Sequence, residues 1–308
     1  MVGSFPAASP SAGLPDHELS YRRPHCAFGL MPFKSISSPQ NDRIKAVARL
    51  RRHAHRIRQG RTLIDGLREL TQAANAGVTI TEAYFCRSSR DDDPAHPLLD
   101  RLAQSHCDVY EVSSEAFAKI SYGQRTAEPL GVAIPPQTAL HQLQLPPVPL
   151  IAVLEGIEKP GNLGAIVRSA DAAGIDAIVV ANERTDLYNP NTIRASLGTV
   201  FSMSVCTAKT ADVIPWLREI GVHVFAAEVD GPQLYTEADL TGPTALVLGS
   251  EADGLTPAWR DCNATSVQLP MQGVANSLNV SATAAVLFYE ARRQRILDRG
   301  MRNPDRGT

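Results

Sequence analysis

The stretch Leu150-Ile151-Ala152-Val153-Leu154-Glu155-Gly156, followed closely by Pro160-Gly161-Asn162-Leu163-Gly164-Ala165-Ile166-Val167-Arg168-Ser169-Ala170, decides how the second half of this chain folds. The first part is a continuous apolar run without polar alternation, the pattern of a strand buried on both faces. The second part starts a helix at the carboxyl end of that strand. Asn162 is its expected N-cap, and Gly161 and Gly164 keep the backbone slim where the helix begins. Arg168 lies six residues beyond Asn162, nearly two turns up. Apolar runs return at residues 177–181, 222–226, 245–248 and 267–269, with helical segments between most of them. A closing helix is expected over residues 278–295. Strands alternating with helices predict an α/β domain whose mostly parallel sheet is covered on both faces.

Upstream, residues 135–149 contain five prolines and no strong period, so they read as a semi-rigid linker. Before the linker lies a second, smaller α/β unit. Strands are expected at 62–64, 78–86, 108–112 and 130–134. Helices are expected at 67–76, closed by Gly77, and at 116–120, opened by Ser113-Ser114-Glu115. The expected organisation is a disordered tail over 1–38, a small domain over 39–134, the linker, a larger domain over 150–296, and a flexible tail over 297–308. The first tail is rich in Pro, Ser, Ala and Gly. Its run Tyr21-Arg22-Arg23 reads as solvated chain rather than an RNA contact.

The chain has 308 residues, 44% of them hydrophobic and 20% charged, with a net charge of −2. That balance is globular, and any polyanion site must be local. One local candidate exists. Arg43, Lys45, Arg49, Arg51, Arg52, Arg56, Arg58 and Arg61 crowd one helical segment, with His53 and His55 among them and only Asp42 opposing. Like charges at this density repel, and phosphates relieve the repulsion. Arg49, Arg51, Arg52, Arg56 and Arg58 are therefore the RNA-binding candidates.

The five cysteines are odd in number and lack CxxC spacing, so neither a disulfide framework nor a metal site is expected. No run approaches the roughly 20 apolar residues of a membrane span, and the N-terminus does not read as a signal peptide. No two glycines stand two apart, which removes GxGxxG. Walker A, HExxH and GxSxG motifs are also missing. A dehydrogenase, a common Rossmann-type methyltransferase and an α/β-hydrolase all lose support.

Two further loops resemble the first in their placement. Leu248-Gly249-Ser250-Glu251-Ala252-Asp253-Gly254-Leu255 follows an apolar strand, and its glycines bracket two carboxylates. Gly249 offers no side chain to obstruct a flat ligand. Leu269-Pro270-Met271-Gln272-Gly273-Val274-Ala275-Asn276-Ser277-Leu278-Asn279-Val280-Ser281 precedes the last helix. Asn276, Ser277 or Asn279 could cap that helix; one cap suffices, so three such groups exceed structural need and the surplus can hydrogen-bond a ligand. Ser281, Ala282, Ala284 and Ala285 then form a small-residue surface. Each loop alone is compatible with a plain strand-to-helix turn.

Together, in this order and separation, the three loops resemble the signature motifs of the SpoU (TrmH-like) family in the SPOUT superfamily, over about residues 150–295. The first half resembles the L30e-like substrate-binding domain often attached to those enzymes, through Gly60-Arg61-Thr62-Leu63-Ile64-Asp65-Gly66 and Val112-Ser113 to Ile120-Ser121. Asp65 stands where relatives often carry Glu, and Ala252 where many carry Gly. The resemblance implies a C-terminal trefoil-knotted α/β methyltransferase domain with a mostly parallel sheet, preceded by the small L30e-like α/β domain. Knots are rare exceptions to the usual rules of connection.

The resemblance also implies S-adenosylmethionine as cofactor, S-adenosylhomocysteine as product and no metal. It implies a homodimer through the C-terminal domain and a cytoplasmic RNA substrate, with 23S ribosomal RNA favoured. Its cofactor-binding positions fall on Gly249, Leu269 and Leu278. Its catalytic positions fall on Asn162, Arg168, Glu251, Ser277 and Asn279. Chemically, Arg168 would clamp an RNA phosphate, because a guanidinium with a pKa above about 12 is a poor base. The phosphate, or a transiently perturbed Arg168, would take the ribose proton. Asn162, Ser277 and Asn279 would position the ribose, and Glu251 would hold Arg168 or the neighbouring amides. A transfer-RNA 2′-O-methyltransferase and a non-catalytic RNA-binding module are the alternatives.

Overall fold

The computed structural model describes residues 33–86, 94–121 and 128–302, with side chains to residue 298. The run Tyr21-Arg22-Arg23 lies outside them, as do residues 303–308. The N-terminal half runs β1 (Lys34–Ile36), α1 (Asp42–Arg49), α2 (His53–Gln59), β2 (Thr62–Asp65), α3 (Leu67–Asn75), β3 (Ile80–Phe85), α4 (His96–Gln104), β4 (Asp108–Val112), α5 (Ser114–Ile120) and β5 (Leu130–Ala133). Its sheet has the order β1-β4-β3-β5-β2. β1, β4 and β3 are parallel, while β5 runs antiparallel to both β3 and β2. Ser113 opens α5 as expected, its hydroxyl accepting from the Ala116 N–H at 3.2 Å.

The C-terminal half runs β6 (Leu150–Glu155), α6 (Pro160–Ala173), β7 (Ala177–Ala181), α7 (Pro190–Ala195), β8 (Val205–Ala208), α8 (Thr210–Glu219), β9 (His223–Ala227), β10 (Gln233–Leu234), β11 (Thr244–Leu248), α9 (Ala258–Asp261), β12 (Thr265–Gln268) and α10 (Val280–Arg302). The sheet order is β10-β12-β9-β11-β6-β7-β8, and every pair in it is parallel. Buried strands explain the apolar runs. Leu150, Ala152 and Leu154 of β6 belong to the core under α6 and α10. Ile151 and Val153 belong to the core on the opposite face, with Val213, Leu217 and Trp259. β7 and β11 divide between the two cores with the same period of two.

Several expected boundaries move. β1 lies inside the stretch expected to be a disordered tail, pairing Ile36 with Val112 while Phe33 meets Phe85 edge-on. Buried partners on β4 order those few residues. At the other end α10 continues to Arg302, because no breaker interrupts its charged, helix-forming sequence before Gly300. The proline-rich linker is also more than a spacer: Leu140, Leu143 and Leu145 pack against the core of the second sheet. β8, β10, α4 and α7 escape the sequence reading. α7 has six residues, too few to display a period.

The two halves are tied by buried polar contacts. Arg194 on α7 pairs with Asp65 at the end of β2 (3.0 Å), and the Thr62 hydroxyl donates to the Tyr188 carbonyl (2.6 Å). A side chain at Gly198 would strike Gln72 and the Glu69 backbone, so the approach is close. None of the described helices is long and apolar enough to cross a membrane.

Candidate active site

β11 lies between β6 and β9, and β9 lies between β11 and β12. The loops leaving the carboxyl ends of β6, β11 and β12 are therefore neighbours in space. Ligands of open parallel sheets bind at such a place.

The first loop enters α6 through Pro160, whose fixed φ suits the first helical position. Proline starts the helix three residues earlier than expected, with Lys159 at the N-cap position, so Asn162 is not the N-cap. Its side chain is left free to face the other loops. Asn162 Nδ2 donates to Glu251 Oε1 at 3.0 Å. Asn279 Nδ2 donates to the same oxygen at 2.7 Å and to Asn162 Oδ1 at 3.3 Å. The side-chain oxygen Asn279 Oδ1 is occupied otherwise, accepting from the Ser281 N–H (2.9 Å) and hydroxyl (2.6 Å) as α10 begins. One amide thus opens the helix and reaches into the site.

Lys159 completes the cluster and was not found from sequence. Its Nζ donates to Glu251 Oε2 at 2.6 Å. A lone lysine before a helix carries no distinguishing signal in the sequence. Its ammonium holds the Glu251 carboxyl below the usual carboxylate range, with the Asn162 amide and the Val280 N–H adding to the effect. Both carboxylate oxygens are engaged, so Glu251 positions the two amides and is poorly placed to act as a base.

Glu251 does not hold Arg168. Arg168 is exposed and has no hydrogen bond or ion pair among the described residues. Six residues at 100° each turn it about 120° around α6 from Asn162. The chain alone does not bring Arg168 to the cluster, so of the two partners expected for Glu251 it holds the neighbouring amides and not Arg168.

Beside the cluster opens a cavity of about 440 Å³, in the size range of small-molecule sites. Gly249, Leu269, Ser277 and Leu278 line it, with Leu248, Met271 and Glu251. Ser277 stays on its rim without a hydrogen bond to the Glu251 cluster. Gly249 has a different reason from the one expected. A Cβ there would collide with the Gly254 carbonyl and come within 2.6 Å of the Leu255 nitrogen. Its loop folds back on itself, with Ser250 and Gly254 exchanging backbone hydrogen bonds at 3.2 and 3.1 Å. The missing side chain makes room for the loop's own return.

The basic segment divides into two helices at Arg51-Arg52. That break corrects one of the RNA-binding candidates. Arg56 is buried at 4% exposure, pairs with Asp186 (2.7 Å) and donates to the Leu50 and Arg51 carbonyls (2.9 and 3.0 Å). It closes the end of α1 and cannot reach a phosphate. Arg51 is engaged as well, donating to the Ser121 carbonyl. Arg49, Arg52 and Arg58 remain exposed around His55. The His55 imidazole is pushed below its ordinary value by desolvation and by Arg58, Arg49 and Arg52, so these charges share one patch. No group of side chains suited to holding a metal occurs among the described residues.

A parallel α/β sheet whose β6, β11 and β12 loops meet in an amide–carboxylate cluster, with a cavity lined by Gly249, Leu269 and Leu278 beside it, is the arrangement of a class, the SPOUT-type methyltransferases. The chain belongs to the SpoU rRNA methylase family, whose profile it matches over residues 149–289. Residues 41–131 match the MRM3-like substrate binding domain. It is 30% identical over 258 residues to a 23S rRNA (uridine(2479)-2′-O)-methyltransferase of Streptomyces viridochromogenes, covering 81% of this chain and 88% of that one. A crystal structure of an RNA 2′-O ribose methyltransferase is similar at 40% identity and a TM-score of 0.73, over 85% of this chain and 99% of that one. An AdoMet-bound rRNA methyltransferase from Sinorhizobium meliloti follows at 28% identity and a TM-score of 0.77, over 85% and 98%.

Proposed function

We propose that this protein transfers a methyl group from S-adenosylmethionine to a ribose 2′-hydroxyl of RNA, in 23S ribosomal RNA. The observation that carries this reading is the convergence of Asn162, Glu251 and Asn279, from three separate loops, in a cluster whose Glu251 also lines the Gly249–Leu269–Leu278 cavity. The cavity suits the cofactor: Leu248, Leu269, Met271 and Leu278 offer apolar surface for a purine. The carboxylates of Glu228, Asp230, Glu251 and Asp253 suit a net cation. When bound, the sulfonium supplies an electrophilic methyl that needs no metal.

The protein then has two tasks, to orient the ribose oxygen and to help its proton leave. Asn162, Ser277 and Asn279 are assigned to the ribose. Glu251, held by Lys159, fixes the two amides so that orientation costs little when substrate arrives. Arg168 grips the adjacent phosphate bidentately, and a phosphate oxygen accepts the 2′-hydroxyl proton. Residues 39–134 are the RNA-binding domain, with Arg49, Arg52 and Arg58 on phosphates.

The homodimer belongs to the same proposal. Val286, Tyr289, Ile296 and Leu297 are exposed along α10, whose buried side packs on α6. Exposed apolar side chains repeated along one helix suit a second copy of the chain, in the cytoplasm where ribosomal RNA is found. A second copy also gives Arg168 a destination, since its own cluster lies on another face of α6.

Incubating the protein with labelled S-adenosylmethionine and 23S rRNA, 16S rRNA or tRNA, and mapping 2′-O-methyl positions, tests the reading. Methylation of one ribose in 23S rRNA is expected. Label on a base, or on tRNA alone, overturns the substrate assignment.

A further inference from the structure

One carboxylate in the large cavity has so far been given only its charge. Glu228 directly follows β9, and its backbone N–H donates to the Val267 carbonyl at 3.0 Å. Ala227, one residue earlier, is in register with Leu248 on β11 and Val267 on β12. Glu228 therefore sits between the two loops that follow those strands, the loop of Gly249 and the loop of Leu269 and Leu278. It lines the large cavity and is absent from the small hollow formed by Lys159, Asn162 and Glu251.

Its side chain is prepared rather than loose. Oε2 accepts from the Ser266 hydroxyl at 2.6 Å, and Oε1 accepts from Arg260 Nε and Nη2 at 3.1 and 2.9 Å. Those bonds hold the carboxyl below its ordinary range, the Ser266 hydroxyl contributing most. A carboxylate offers about four acceptor sites. Oε2 keeps one unused, and Arg260, at 76% side-chain exposure, can withdraw into solvent at little cost. An acidic residue just past a strand's carboxyl end is well suited to accept from a sugar hydroxyl, the role such a residue plays toward ribose in dinucleotide sites.

We propose that Glu228 is a specificity-determining residue that accepts a hydrogen bond from a ribose hydroxyl of the bound cofactor, with Ser266 fixing its orientation. The inference rests on the cofactor reading above. Glu228 thereby selects a ribonucleoside over its deoxy counterpart, a choice the apolar walls of the cavity cannot make.

Isothermal titration calorimetry of the full chain with S-adenosylhomocysteine and its 2′,3′-dideoxyribose analogue tests this without any methyl transfer. Wild type is expected to bind the natural ligand about 10- to 100-fold more tightly than the analogue. In Glu228→Ala the affinity for S-adenosylhomocysteine should fall by a similar factor and the difference between the two ligands should disappear. Glu228→Gln keeps the size and most of the packing, guards against misfolding, and should narrow the difference too. Arg260→Ala should leave the discrimination in place. The proposal is overturned if the Glu228 variants bind S-adenosylhomocysteine as wild type does, or weaken both ligands while preserving their ratio. If wild type binds neither ligand, the cofactor reading itself fails, a separate result.

Discussion

Glu251 illustrates how one side chain organises the site. Lys159 keeps its carboxyl below the ordinary range, so the folded-state pKa lies under the unfolded value of about 4.3. The sign follows: the cluster is complete above that value and is lost only as the pH falls through the lower folded-state value. A carbon-13 NMR titration should place the Glu251 midpoint below 4.3, and Lys159→Met should move it upward. A midpoint unchanged by that substitution would show that the ammonium is not the cause. Arg168→Ala should slow single-turnover methylation on the order of 100-fold or more, as loss of a group acting on developing charge does. S-adenosylhomocysteine binding should stay as it was, because Arg168 lies outside the cavity. Gly249→Ala should do the reverse and weaken ligand binding, since the loop must open to relieve the clash with Gly254.

Among elements, α1 and α2 carry arginines of two kinds. Arg56 is buried against Asp186, and removing it leaves an uncompensated charge. Arg56→Ala should cost about 3–5 kcal/mol in urea unfolding. Arg49→Ala, Arg52→Ala and Arg58→Ala should stay within about 0.5 kcal/mol of wild type. Each should instead reduce the slope of log affinity for RNA against log salt by about 0.7–0.9. If Arg52→Ala left the salt slope unchanged, the patch would not touch phosphate. The local sequence shows ten cationic or titratable residues against one acid and makes all the arginines look alike. Asp186, on a loop of the other half, makes Arg56 different, and no spacing within α2 announces it.

At the scale of the whole molecule, the exposed row on α10 and the stranded Arg168 belong to one question. Tyr289→Glu together with Leu297→Glu should convert a dimer to a monomer in sedimentation velocity and abolish methylation with the fold retained. If one copy supplies Arg168 to the other's Glu251 cluster, mixing Arg168→Ala with Asn279→Ala should restore activity that neither has alone. Failure of the mixture, with exchange of subunits verified, would assign Arg168 to its own chain. The α/β class, the parallel sheet and the three loops are legible in the order of residues alone. Those depend on apolar runs, glycines and amides that are close along the chain and keep their meaning in any packing. Folding alone settles that Asn162 meets Glu251, that Gly249 makes room for its own loop, that Lys159 joins the cluster and Glu228 lines the cavity, and that Arg56 is a buried strut. Each of those depends on a partner tens of residues away or on a backbone return. Such partners meet only when the strand order is fixed, and that order is a property of the folded sheet.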